Sequence, residues 1–170
     1  MASIETKYFG TLPYGDTSVF DFPQGLPAFE DEKRFVLIEA PRQGEASPQG
    51  EASGHGSMLF LQSMARASLC FVAVPILVVD QGYELAIAPE DLEELGCDVR
   101  RQPVLGDEVM VLALISSHGK FVATANLMAP VVLNVKIRRG VQAIRRDSRY
   151  SHAQPIGEQG GHVQTGEEAC

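Results

Sequence analysis

Val131-Val132-Leu133-Asn134-Val135-Lys136-Ile137 places Val131, Leu133, Val135 and Ile137 at alternate positions, with Asn134 and Lys136 on the opposite side. Successive residues of a strand point to opposite faces, so the alternation predicts a strand with one buried and one wet face. Arg138-Arg139-Gly140 follows, and glycine's tolerance of positive φ allows a tight reversal there. The turn would pair this strand with Val141 to Arg145 as a hairpin.

Outward from this hairpin the chain repeats the same pattern. Ile4, Thr6 and Tyr8 alternate with polar neighbours, and short apolar runs follow at Asp16 to Phe22, Arg34 to Ala40, Met58 to Gln62, Leu69 to Val74, Ile76 to Val79, Tyr83 to Ile87, Glu108 to Ser117 and Lys120 to Thr124. Each is bounded by Gly, Pro, Asp or Ser, and Ser117-His118-Gly119 offers a second turn. Many short strands at this spacing predict a mainly β chain: one antiparallel, barrel-like domain over residues 1–156.

Only one segment reads as a helix. Pro89 suits a first helical position, Glu90 and Asp91 favour the positive end of the dipole, Leu92 and Leu95 share a face, and Gly96 ends it. A helix of about two turns needs tertiary packing to persist. Its outer face, with Glu93 and Glu94, is acidic.

The net charge of -8 disfavours general binding to nucleic acid or anionic membranes and favours a basic partner. Charge is unevenly spread. Glu84, Glu90, Asp91, Glu93, Glu94, Asp98, Asp107 and Glu108 form one group, and Lys136, Arg138, Arg139, Arg145, Arg146 and Arg149 form another. The longest apolar run, Phe71 to Val79, is broken by Pro75 and falls short of the roughly 20 residues a membrane helix needs. The first residues lack a signal-peptide core, so a cytoplasmic location is expected. Cys70, Cys97 and Cys170 form no CxxC pair, and Cys70 reads as a small core residue.

No metalloprotease, P-loop, nucleophile-elbow or dinucleotide motif occurs, and His55, His118, His152 and His162 fall in loop or tail segments. No catalytic residue, metal or cofactor is expected. The cations from Lys136 to Arg149 support a rival reading, an RNA-binding β-barrel, but stacking aromatics are missing apart from Tyr150. Residues 43–57 repeat Gln-Gly-Glu-Ala-Ser and read as a flexible surface loop, and 157–170 as a disordered tail.

Six ordered blocks carry a resemblance to a known family. They are Thr6-Lys7-Tyr8-Phe9-Gly10, Phe22-Pro23-Gln24-Gly25-Leu26-Pro27-Ala28-Phe29-Glu30, Phe60-Leu61-Gln62-Ser63, Pro89-Glu90-Asp91-Leu92-Glu93-Glu94-Leu95-Gly96, Ala123-Thr124-Ala125-Asn126-Leu127-Met128-Ala129-Pro130-Val131-Val132-Leu133-Asn134 and Asp147-Ser148-Arg149-Tyr150-Ser151. From about Ile4 to Ile156 the chain resembles the flagellar assembly factors of the FliW family. Ala28 stands where that family usually has Gly, the 43–57 loop is longer than usual, and Val74 to Tyr83 lacks the usual Asp-Pro and Pro-Asp-Tyr pairings.

The resemblance implies a cytoplasmic β-barrel-like protein with two alternative partners, flagellin before its export and the translational regulator CsrA, which it antagonises allosterically. On that reading Glu90, Asp91, Glu93 and Glu94 are candidates for docking CsrA, because complementary potentials speed encounter. Leu26 and Phe29 either present apolar surface to a flagellin helix or plug one end of the barrel. Gln62 and Ser63 either reach a partner or satisfy backbone groups. Asn126 and Asn134 are candidates for a structural role.

Overall fold

The computed structural model describes residues 2–40, 58–117, 119 and 122–156. Strands β1 (Ala2–Thr6) and β2 (Gly10–Tyr14) form a separate hairpin. A single 3-10 turn over Asp16–Ser18 leads into β3 (Val19–Asp21), followed by β4 (Arg34–Glu39), β5 (Leu59–Ser63) and β6 (Cys70–Pro75). Two short helices, α1 (Ile76–Val79) and α2 (Pro89–Glu94), precede β7 (Met110–Ser116), β8 (Thr124–Asn134), β9 (Arg139–Gln142) and β10 (Gln154–Pro155).

The sheet runs β8-β7-β6-β5-β4-β3-β9, and β9 also pairs with β8, which closes a seven-stranded barrel and removes its open edges. Neighbours are antiparallel except at β3 and β9, which meet in parallel at Asp21 and Arg139. There the Asp21 amide donates to the Arg138 carbonyl at 2.9 Å.

Val131, Val132 and Leu133 are all 0% exposed, so β8 is buried on both faces rather than one. Val131 and Leu133 pack with Phe22, Phe35, Leu61 and Leu112. Val132 packs with Val111, Leu92 and Leu95 beneath α2, and the α1 residue Ile76 belongs to the same layer. On another flank Ile4 joins Val19 and Val36, seating the β1-β2 hairpin on the barrel. Burial on two faces gives near-continuous apolar strands, which accounts for the run in β8.

The chain reverses earlier than the glycine suggests. β8 stops at Asn134, the turn occupies residues 135–138, and Arg138 takes the left-handed conformation at φ 57. Val135 and Ile137 are therefore 44% and 48% exposed, not buried as the alternation predicts. Gly140 lies within β9, where a Cβ would sit 2.4 Å from the Phe22 ring. It serves close packing rather than the turn.

Two predicted strands are absent. Ile76 to Val79 forms α1, with Pro75 at its N-cap at φ -57. Tyr83 to Ile87 is irregular, because its backbone groups find side chains instead of a neighbouring strand. Ile87 N donates to Gln102 Oε1 at 2.7 Å, Gln102 Nε2 donates to Ile87 O at 3.1 Å, and Glu84 N donates to Tyr150 Oη at 3.1 Å. The strand predicted over Lys120 to Thr124 falls partly outside the described residues; Val122 and Ala123 are irregular, and β8 begins at Thr124. The repeat loop 43–57 and the tail 157–170 lie outside the described residues.

Candidate functional site

Helix α2 is held on the barrel from beneath and at both ends. Leu92 and Leu95 are 1% and 0% exposed. Ala88 supplies no side-chain cap, but Pro89 needs no amide partner at this position. At the other end Gly96 adopts φ +73, and Cys97 N returns to Leu92 O at 2.9 Å, closing the helix with a left-handed residue. Asn134 Nδ2 donates to the terminal Leu95 carbonyl at 2.8 Å while Asn134 Oδ1 accepts from Lys136 N at 3.1 Å. Thus one asparagine ends β8 and anchors α2.

The acidic and basic groups that the sequence separates meet in space. Arg146 Nη2 contacts both Glu90 oxygens at 2.9 and 3.0 Å, Arg149 Nη1 contacts Glu84 at 2.6 Å, and Arg139 Nη1 donates to the Glu94 carbonyl at 3.3 Å. Glu90 is held below the usual carboxylate range by its own backbone amide and by Arg146. Asp91 is pushed up, first by burial and then by the Glu90 charge. Asp91, Glu93 and Glu94 make no ion pair within 4.0 Å among the described residues, although the Arg146 charge acts on Asp91.

Behind that face lies a buried cation. Arg145 is only 4% exposed. Its guanidinium forms a two-pronged pair with Asp147 at 2.9 Å for each prong, and donates to Glu84 O at 2.6 Å and Tyr83 Oη at 3.2 Å. It also lies 5.3 Å from the Tyr83 ring centroid and 4.7 Å from that of Tyr150. Tyr83 Oη in turn donates to Leu127 O at 2.7 Å. The clamp ties the 83–87 segment, which feeds α2, to β8 and to the chain after β9. The Arg-x-Asp spacing and the nearby Tyr150 were its only local signals.

Gln62 and Ser63 are both fully enclosed. Ser63 Oγ donates to buried Glu32 and accepts from the amides of Ala65 and Arg66, while Gln62 Nε2 faces the carbonyls of Ser63, Arg66, Ala67 and Leu69 at 3.1–3.2 Å. Arg66 closes the group by pairing with Glu32 at 3.0 Å. These residues shape the β5-β6 turn. Asn126 Oδ1 accepts from Met128 and Ala129 amides at the point where β8 shifts register against β7.

Leu26 is 1% exposed within the barrel core. Phe29 is half-buried and meets Phe71 edge-on at 5.3 Å between ring centroids. The chain around them turns through two left-handed residues, Gly25 at φ 67 just before Leu26 and Ala28 at φ 73 just before Phe29. Glycine takes that conformation without strain, whereas the Cβ of Ala28 makes it costly.

Among the described residues no group of His, Cys, Asp and Glu is arranged to hold a metal ion, and no helix is long and apolar enough to cross a membrane. An apolar cleft of about 260 Å³ does open between Leu77 of α1, Leu105, Met110 and Val135, beside the 135–138 turn.

Comparison with known proteins places this barrel. The family described as FliW protein matches residues 3–156. The flagellar assembly factor FliW of Syntrophomonas wolfei is 30% identical over 154 residues, covering 90% of this chain and 87% of that one. The corresponding factor of Bacillus subtilis is 30% identical over 155 residues, covering 91% and 96%, and that of Bacillus pumilus is 34% identical over 149 residues, covering 86% and 90%. A crystal structure of the flagellar assembly factor FliW superposes with a TM-score of 0.69 at 28% identity, covering 92% of this chain and 98% of that one. With the barrel, the anchored acidic helix and these matches in agreement, the chain belongs to the FliW family of flagellar assembly factors.

Proposed function

We propose that this protein acts in the cytoplasm as a non-enzymatic partner switch, binding flagellin before export and, alternatively, binding and allosterically antagonising CsrA. Flagellin synthesis would thereby be coupled to flagellin export. The observation that carries the proposal is the anchored α2, whose Glu93 and Glu94 make no ion pair within 4.0 Å among the described residues. A basic RNA-binding regulator is the kind of partner such a face attracts, since opposite potentials raise encounter rates and reject acidic competitors.

The rival RNA-binding reading loses its main support from the same geometry. Arg139, Arg145, Arg146 and Arg149 are engaged with protein acceptors, and Arg138 donates to the Asp16 carbonyl at 3.0 Å. A phosphate backbone would have to displace these contacts. Size-exclusion chromatography of the purified protein with flagellin and CsrA from the same bacterium tests the switch. Two separate binary complexes and no ternary one are expected; a stable ternary complex, or binding to neither protein, would overturn it.

A further inference from the structure

The β1-β2 hairpin is set apart from the barrel by the way its polar groups are satisfied. Its two strands pair only with each other. Thr6 Oγ1 donates to Gly10 O at 2.9 Å and accepts from Phe9 N at 2.8 Å, and Thr11 Oγ1 donates to the Glu5 carboxylate, so these side-chain bonds stay within the hairpin. Among the described residues one backbone hydrogen bond ties it to the barrel, from Lys7 N to Ala67 O at 3.0 Å. Gln62 Nε2 faces the same carbonyl at 3.2 Å, so Ala67 O keeps a donor when Lys7 leaves. The freed Lys7 amide passes to water.

The rest of the seat is apolar and small. Ile4, Leu12 and Tyr14 rest on Val19, Val36, Ile38 and Met64, and of these three hairpin residues only Ile4 is buried. At the turn Phe9 meets Phe60 edge-on at 4.8 Å between ring centroids. The fit there is incomplete, because a cleft of about 410 Å³ is lined by Tyr8 and Phe9 from the hairpin and by Phe60, Cys70 and Val72 from the barrel. The barrel side of the connection is pinned instead. Gly15 follows β2, and Arg138 Nη1 donates to the carbonyl of Asp16, the next residue, at 3.0 Å.

We propose that residues 2–14 form a strap that lifts about Gly15 while the barrel stays closed, uncovering the apolar floor of Val19, Val36, Ile38 and Met64. Barrel closure from β3 to β9 uses neither strand of the strap. A two-stranded hairpin is marginal without a substantial apolar seat, and segments with few buried apolar contacts open ahead of the global transition. Its hydrogen bonds impose little barrier to lifting, since the one broken backbone bond leaves no buried group without a partner. The strap is therefore a reversible cover over one flank of the barrel, whatever partners the protein binds.

Thiol trapping tests it. In a full-length background carrying Cys70→Ala, Cys97→Ala and Cys170→Ala, the Val36→Cys variant places a thiol on the floor, at a position 1% exposed. The Val131→Cys variant makes the same change in the barrel interior, at a position 0% exposed. Both are labelled with iodoacetamide in buffer and in low urea, with thermal melts to verify folding. Lifting requires position 36 to react roughly a hundredfold faster or more than position 131, with a weaker urea dependence because only local surface is exposed. Adding Phe9→Ser, which removes the ring contact with Phe60, should speed labelling at position 36 about fivefold or more and leave position 131 within about twofold. Equal rates and urea dependence at the two positions, or an equal Phe9→Ser effect at both, would overturn the strap. Hydrogen exchange of the unsubstituted protein supplies a check free of cysteine variants. The Lys7 amide should exchange ahead of the Phe22 amide, which donates to Lys33 O at 2.7 Å, and exchange of both in a single global step would overturn the proposal as well.

Discussion

Replacing Arg145 with Met keeps most of the aliphatic stem and removes the guanidinium, so it isolates the clamp behind the acidic helix. The loss has three parts. The Glu84 carbonyl loses its charged donor, which costs about 1–3 kcal/mol for a partly buried acceptor. The pair with Asp147 contributes about 0–1 kcal/mol, because that carboxylate is 46% exposed and regains water. Contacts with the Tyr83 and Tyr150 rings add about 0.5–1 kcal/mol each. Tyr83 Oη still donates to Leu127 O, so it is not orphaned. The sum is about 2–6 kcal/mol, centred on about 4, and at roughly 2–4 °C per kcal/mol for a chain of this size Tm should fall by about 8–16 °C. Arg145→Lys, which keeps the charge without the fork, should fall in between. Circular dichroism melts at neutral pH measure both. A shift below about 2 °C for Arg145→Met would refute the claim that the clamp holds this side of the barrel.

Other consequences follow from single contacts. Ala28→Gly relieves a left-handed alanine at φ 73 and should stabilise the protein by about 0.5–1 kcal/mol in urea unfolding, the strain relieved exceeding glycine's entropy cost. Asn134→Ala leaves the Leu95 carbonyl without its donor and should cost about 1–2 kcal/mol, with faster hydrogen exchange confined to α2 and the residues after it. Glu108 is held down to about 2 by the Arg101 guanidinium and by the Val104 amide. Because its unfolded value is about 4.3, its stabilising contribution is complete above that pH and is lost as pH falls through about 2. The stability difference between wild type and Glu108→Gln should therefore shrink across that window in acid titration.

The β character of the chain was legible because alternation and turn residues are local signals, as at Arg34 to Ala40 and Glu108 to Ser117. The misread segments depend on distant partners. Tyr83 to Ile87 has the composition of a strand, yet Gln102, Arg145 and Tyr150 take up its backbone groups. Val135 and Ile137 continue the apolar period beyond Asn134, and only the anchoring of α2 by that residue shows why the strand stops. Helix α2 and its acids were readable from Pro89 to Gly96. Their partial neutralisation by Arg146 required the fold, since Glu90 and Arg146 are 56 positions apart in sequence. For Gln62 and Ser63 the sequence left both a partner contact and a backbone-satisfying role open, because polarity alone does not distinguish the two.

Stopped-flow association with CsrA, comparing wild type with the Glu93→Lys and Glu94→Lys double variant at low and high salt, probes the docking face most directly. Charge steering acts over about 10 Å at 0.1 M salt and about 3 Å at 1 M. The variant should associate at least tenfold more slowly at low salt and converge with wild type at high salt. Equal association rates at low salt would contradict an acidic docking face.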